Sequence, residues 1–273
     1  MSDIQATLQA TAQDFEHLLV QSALSNPGSD PAWIHSDVFL SIEEDRVETI
    51  IAAGGGSVNT YCTFEESYFE SLDGSAEAII DVERTLERLK VASDGGRMRF
   101  ELVGPDDGLA EQLRAEGALQ MAVTLPASNK VLDRVPVELP ERFNDSEMFL
   151  SPSNNPHQTV IDTTAEQVAK IVEAVELEDS TEYFYVTVEG GEFVLDVGDD
   201  LNYLRGDLMA SNVDGPDLRN RYGPGFEAAF KHTLTGGVQL QTTPADDGGT
   251  PLAVVQVDSN RTLRHVLSEV PNP

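Results

Sequence analysis

The chain has little cysteine, little lysine and no long apolar run, and each shortage excludes a class of protein. A single cysteine, Cys62, among 273 residues rules out an internal disulfide and any zinc site built on several thiolates. Cys62 is expected to be a small core residue. No apolar stretch approaches the roughly 18 to 20 residues that cross a bilayer, and Met1-Ser2-Asp3-Ile4 carries no basic leader. These features predict a soluble, cytoplasmic protein without a membrane segment. Only four residues are lysine, and 17 basic residues face 48 acidic ones for a net charge of −31.

Catalytic motifs are equally scarce. There is no phosphate-binding G-x-x-x-x-G-K-[ST] loop, no G-x-S-x-G elbow and no H-E-x-x-H helix. Gly54-Gly55-Gly56 lacks the spacing of a dinucleotide fingerprint. His17, His35, His157, His232 and His265 stand apart from one another in sequence, with no partner spacing for a base, a nucleophile or a metal. Asp106-Asp107, Asp199-Asp200 and Asp246-Asp247 lie in turn contexts, where solvated carboxylates are the ordinary reading. The expectation is a protein with no catalytic residue, no metal and no cofactor.

What the chain does have is 40% hydrophobic residues beside its acidic charge. Disordered acidic chains lack that apolar content, so a folded core under an acidic coat is expected. The acids are spread through the loops. Such a coat repels itself at low ionic strength, but in molar salt the Debye length falls to about 3 Å and the cost largely disappears. A salt-in halophile, or a virus of one, is the expected source.

Helical and strand periods alternate along the chain. Alternation over 4–9 predicts a strand, and Thr11 with Asp14 a helix start over an apolar stripe of Phe15, Leu18, Leu19 and Ala23. Short strands are expected at 32–35, 38–42, 47–52, 58–63 and 67–72. A second helix follows over 81–93, burying Val82, Leu86 and Leu89, and then strands at 97–103, 109–114 and 118–125. Pro126 to Glu141 has three prolines and no period, which makes it an extended connector.

The second half repeats the first in outline. A strand at 158–161 leads to a capping box of Thr163 and Glu166, with Val168, Ile171, Val172 and Val175 on one helix face. Strands at 183–188 and 192–197 flank the turn Glu189-Gly190-Gly191, and a further strand is expected at 202–210. A helix beginning near Pro224 and strands at 238–243, 252–257 and 262–267 complete the pattern. The prediction is an α+β protein of two similar domains, 1–125 and 158–273, joined by 126–157. Each domain should hold antiparallel meanders with two helices on one face.

The scarce basic residues concentrate near the predicted helices: Arg84, Arg88 and Lys90 on the second, Lys170 on the third, Lys231 on the fourth, and Arg219 and Arg221 just ahead of it. One reading pairs them with Glu83, Glu87 or Glu173 on a solvated surface. The other has them face a nucleic-acid backbone.

Three segments resemble the proliferating cell nuclear antigen type of sliding clamp. Ala78-Ile79-Ile80-Asp81-Val82-Glu83-Arg84-Thr85-Leu86-Glu87-Arg88-Leu89-Lys90 is similar to the strand and second helix of the first clamp domain. Thr159-Val160-Ile161-Asp162-Thr163-Thr164-Ala165-Glu166-Gln167-Val168 resembles the start of the second domain. Pro251 to Val257, leading to Leu263-Arg264-His265-Val266-Leu267, resembles the end of the family's chain. The resemblance implies a head-to-tail homotrimer encircling double-stranded DNA, with helices inward and sheets outward, that tethers DNA polymerase and other clamp-binding proteins and is opened by a clamp loader. It implies that Arg84, Arg88, Lys90, Lys170 and Lys231 face DNA. It also places Leu40, Ile42, Val47, Val131, Leu132, Pro251, Leu267 and Val270 around a partner-binding groove beneath the connector, and pairs strand 118–125 of one subunit with strand 202–210 of the next.

Three departures from the family pattern stand beside this. The helices carry few positive charges and the first has none; 141–157 is longer than the usual passage into the second domain; and Ser268-Glu269 replaces the family's Ala-Pro. A clamp-fold module that forms no ring, acting as an interaction or regulatory protein, and an enzyme with an unrecognised acidic site remain alternatives.

Overall fold

The computed structural model describes residues 4–24, 37–52, 58–89, 96–103, 110–115, 123–126, 159–175, 183–198, 203–208, 210, 212–223, 229, 236–242 and 250–270. The connector and its continuation over 127–158, the strand expected at 32–35 and most of the helix expected after Pro224 lie outside these residues. The chain divides into two compact units. The first comprises 1–51, 60–140 and 258–262, and the second 52–59, 141–257 and 263–273.

The first unit opens with β1 (Ile4–Thr11) and α1 (Ala12–Ala23). Thr11 caps the helix as expected, its Oγ1 accepting from the Asp14 N–H at 3.0 Å, which satisfies a donor that the helix itself leaves open. Phe15, Leu18, Leu19 and Ala23 are all fully buried. The Phe15 ring lies 5.3 Å from that of Phe100, so the helix stripe packs onto the sheet. Leu24 ends the helix in the left-handed region at φ 50° while fully buried; its apolar burial offsets a backbone cost of about 1–2 kcal/mol.

There follow β2 (Asp37–Ile42), β3 (Arg46–Ala52), β4 (Val58–Glu65), β5 (Ser71–Gly74), β6 (Ala76–Asp81), α2 (Val82–Leu89), β7 (Arg97–Val103), β8 (Ala110–Ala115) and β9 (Val123–Pro126). β4 shows why these are strands: Val58, Thr60, Cys62 and Phe64 are buried while Asn59, Tyr61 and Thr63 are half-buried, a strict period of two. Cys62 is thus the core residue expected of it. In α2, Val82, Leu86 and Leu89 are buried as predicted.

The second unit contains β10 (Thr159–Thr164), α3 (Ala165–Val175), β11 (Phe184–Glu189), β12 (Glu192–Gly198), β13 (Tyr203–Leu208), β14 (Asn212–Asp214), β15 (Leu218–Tyr222), β16 (Gly237–Thr242), β17 (Leu252–Val257) and β18 (Arg261–Leu267). Ala229, helical and fully buried, is the described residue of the fourth predicted helix. Gly190 and Gly191, at φ 59° and 83°, form the two-residue turn between β11 and β12. Both positive angles suit glycine and the twist of a tight hairpin.

Strand order shows the duplication more clearly than residue identity does. In the first unit one sheet runs β5-β1-β7-β8-β9 and a second set of neighbours runs β4-β3-β2-β6; in the second unit the corresponding orders are β14-β10-β16-β17-β18 and β13-β12-β11-β15. Adding nine to each strand number of the first unit reproduces the second. Simple meanders are corrected by this order. β1 pairs with β5 and β7, β2 with β6, and β10 with β14 and β16. The helix after the first strand of each unit carries the chain to a different set of strands, so that first strand finds its neighbours later in sequence. The short strands β6, β14 and β15 also escaped the sequence reading, and Glu66–Tyr68 is a 3-10 turn where a strand over 67–72 was expected.

Candidate nucleic-acid interface and clamp edges

α1 and α2 pack together in the first unit, α1 over β1, β2 and β7 and α2 against β6. α3 lies against β10 and β13 in the second. Thr49 fastens α1 to β3: the buried Ser22 hydroxyl donates to the Leu18 carbonyl at 2.7 Å, and its oxygen lies 2.6 Å from Thr49 Oγ1. At the start of α3 the capping residue is Thr164, one position beyond the predicted Thr163, its Oγ1 accepting from the Gln167 N–H at 3.3 Å. Glu166 does not close a capping box. Its Oε1 accepts from the Gly236 N–H at 2.9 Å. Backbone N–H donors, first its own and then that of Gly236, hold the Glu166 carboxyl below its ordinary range, and Lys170 one turn on adds a smaller electrostatic pull.

The helix surfaces carry little positive charge. Gln13, Glu16 and His17 are exposed on α1, Glu83 and Glu87 on α2, and Glu166 and Lys170 on α3. By sequence, α1 carries two acids and no base, α2 balances Glu83 and Glu87 against Arg84 and Arg88, and α3 sets Glu166 and Glu173 against Lys170. Of the predicted DNA-facing residues, Arg84 and Arg88 thus share α2, Lys170 is exposed on α3, and Lys90 and Lys231 lie outside the described residues.

The predicted partner-binding residues fall into two kinds. Leu40, Ile42 and Val47 are fully buried in the first unit, with Ile42 opposite Val47 across the β2–β3 pair, and Leu267 is 1% exposed in the second. These four are core residues of their units. Pro251 and Val270 are half-buried at the end of the second unit, while Val131 and Leu132 lie outside the described residues.

Val270 belongs to a small hydrogen-bonded lock that the sequence did not suggest. The Val270 N–H donates to the Arg221 carbonyl at 2.8 Å, and Glu269 forms an antiparallel bridge with Tyr222. Glu269 Oε2 accepts from the Thr250 N–H at 2.7 Å, while the Tyr222 hydroxyl donates to the Thr250 carbonyl at 2.9 Å. Glu269, the residue that departs from the family pattern, is what ties residues 269–270 to the β15 edge. Arg219 and Arg221, expected just ahead of a helix, lie on β15. Arg221 sits over the Tyr183 ring at 4.5 Å and Arg219 over Tyr185 at 5.2 Å. The Tyr-x-Tyr and Arg-x-Arg spacings were the available signal, since a period of two puts each pair on one face of a strand.

Two strands end their sheets among the described residues: β9 in the order β5-β1-β7-β8-β9, and β13 in the order β13-β12-β11-β15. Each presents a row of backbone donors and acceptors that needs a partner. A chain of two such like-built units, each with helices laid on antiparallel strands, has the sliding-clamp fold. Its structural neighbours are proliferating cell nuclear antigens. The A. fulgidus protein, solved with the C-terminal region of FEN-1 bound, matches at TM-score 0.70 with 10% identity over 98% of this chain and 100% of that one. The Thermococcus kodakaraensis protein matches at 0.68 with 12% identity over 97% and 100%, and the Entamoeba histolytica protein at 0.68 with 10% identity over 98% and 100%. No protein-family model and no curated protein sequence matches the chain. No helix among the described residues is long and apolar enough to cross a membrane.

Proposed function

We propose that the chain is a DNA sliding clamp, a head-to-tail homotrimeric ring that tethers DNA polymerase and other replication proteins to duplex DNA, and that it carries no catalytic activity of its own. The observation that carries this reading is end-to-end similarity in fold: 97–98% of the chain lies on the full length of three proliferating cell nuclear antigens. The open edges support it as well. In a ring, β9 of one copy pairs with β13 of the next, and both unpaired edges are covered. The domain division on this reading is 1–125 and 158–273, with 126–157 as connector.

The near-neutral to acidic helix faces fit a clamp that works in molar salt. At that ionic strength counterion release contributes little to phosphate binding, and a closed ring retains DNA by topology. Arg84, Arg88, Lys90, Lys170 and Lys231 then make brief phosphate contacts. The acidic coat supports a halophilic source and a high-salt cytoplasm as its working environment. Pro251 and Val270, with Val131 and Leu132 of the connector, form the accessible part of the client groove, above the buried Leu40, Ile42, Val47 and Leu267. A loader opens the ring.

The test is retention on circular against linear DNA in molar potassium chloride, with a loader and ATP. A clamp stays on a nicked circle through gel filtration and runs off once the circle is cut. Equal retention on both forms would mean that the chain binds DNA by contact, and no retention on either would favour the reading of an interaction module without a ring.

A further inference from the structure

Arginine is scarce in this chain, and its described guanidinium groups are mostly engaged by carboxylates. Arg46 lies 2.8 Å from Glu48 and 3.0 Å from Glu43, Arg97 3.1 Å from Glu70, Arg99 2.8 Å from Glu101, and Arg261 2.8 Å from Asp258. Arg219 differs. It is exposed, it has no ion pair among the described residues, and its one contact there is with the Tyr185 ring. Two residues on, Arg221 stacks on Tyr183 and is 9% exposed.

These four side chains share one face of the β11–β15 pair. Phe184, Val186 and Val188 are buried on the other face, and the register sets Tyr185 against Arg221 and Thr187 against Arg219. The carboxylates placed near this face are Asp196, opposite Tyr185 on β12 and 9% exposed, and Asp217, whose Oδ1 accepts from the Gly190 N–H at 3.0 Å. Glu189 and Glu192 close the hairpin beyond. No described ion pair joins any of these acids to Arg219.

The backbone beside Arg219 is open too. The Arg221 carbonyl points away from β11 to accept from Val270, and backbone groups along a strand alternate in direction, so the N–H and carbonyl of Arg219 point the same way. Residues 269–270 cover Tyr222 and Arg221 and leave Arg219 next along the edge.

We propose that this face docks an extended acidic segment of a partner protein, added along the β15 edge and recognised through carboxylates at alternate positions. Residues 219 and 221 repeat at about 7 Å on one face of their strand, and an added strand presents every second side chain at the same repeat. A guanidinium held over an aromatic ring is pre-oriented, and it loses less freedom when a carboxylate arrives. Charge complementarity selects an acidic occupant, and the open backbone of Arg219 selects an extended one. This docking face is independent of ring closure and of the DNA-facing helices.

The experiment uses the full-length chain and two fluorescent probes, a short peptide alternating Glu with Thr and the same peptide with Lys for Glu, followed by anisotropy at the lowest salt that keeps the chain folded by circular dichroism. The Glu peptide is expected to bind and the Lys peptide not to. Arg219→Glu should weaken the Glu peptide by about tenfold or more, Arg219→Lys should restore part of the loss, and retention on circular DNA should not change. Failure of the Glu peptide to bind, or equal binding to Arg219→Glu, overturns the proposal. A labelled duplex whose binding falls with Arg219→Glu while the Glu peptide is unaffected overturns it in favour of nucleic acid.

Discussion

Replacing Ser22 by alanine should cost more stability than replacing Thr49 by valine, and replacing both should cost less than the sum. The Ser22 hydroxyl has one hydrogen, which it donates to the Leu18 carbonyl at 2.7 Å; the 2.6 Å contact with Thr49 Oγ1 is therefore a bond that Thr49 donates and Ser22 accepts. Both side chains are fully buried. Ser22→Ala strips the Thr49 hydroxyl of its described partner, an orphaned buried donor worth about 1–3 kcal/mol. Thr49→Val removes the donor but leaves Ser22 bonded to Leu18, a loss of about 0.5–1.5 kcal/mol. The double variant orphans neither group, so a coupling of about 1 kcal/mol or more should appear in a mutant cycle measured by urea unfolding in molar potassium chloride. Additive costs, within about 0.5 kcal/mol, would refute the assignment of donor and acceptor and the view that this pair fastens α1 to β3.

Three further outcomes follow from the geometry and the proposed function. Burial pushes the Tyr68 phenol up to about 12 and raises that of Tyr222 further, so the folded state keeps both neutral where an unfolded chain ionises, near pH 10; their contribution is intact below about pH 10 and lost as pH rises through the folded values. Ultraviolet titration should show two of the six tyrosines ionising late, together with alkaline unfolding, and a single phase near pH 10 for all six would contradict this. Gly74 sits at φ +79° with the Gln5 carbonyl oxygen 2.1 Å from where a Cβ would lie, whereas Gly190 has open space; Gly74→Ala should cost clearly more than the roughly 1–2 kcal/mol of a left-handed alanine, and Gly190→Ala about that amount, by chemical denaturation. Reversing Arg84 and Arg88 to glutamate should weaken polymerase stimulation without changing the mass of the assembly, and loss of the assembly would make those arginines structural.

Much of the fold was legible in local signals, because burial imposes a period that residues cannot hide. β7 and β17 fall on the predicted residues, α1 begins at its predicted cap, and the Gly190-Gly191 turn stands where its φ angles require glycine. Pairing was less legible. Nothing in the composition of β1 says that its neighbours are β5 and β7, since register is set by contacts far apart in sequence. Edge strands such as β14 and β15 are short and polar, and they lack the alternation that marks a half-buried strand.

The candidate site was less legible than the fold. Arg84, Arg88 and Lys170 were found because bases are rare here and these lie on helices. Arg219 and Arg221 were noticed for the same reason but misplaced, because Pro224 drew the helix start toward them. The part played by Glu269 depends on Thr250 and Tyr222, which are 19 and 47 positions away, and no local pattern joins the three. Leu40, Ile42 and Val47 were read from the resemblance as groove residues, and their full burial shows that the same apolar alternation serves the core first.

Light scattering in molar potassium chloride measures the central claim directly, because ring closure through β9 and β13 fixes the mass. The account predicts a single species at three times the 29.6 kDa of the chain, stable on dilution to the low micromolar range. A species that stays at 29.6 kDa at tens of micromolar would contradict it.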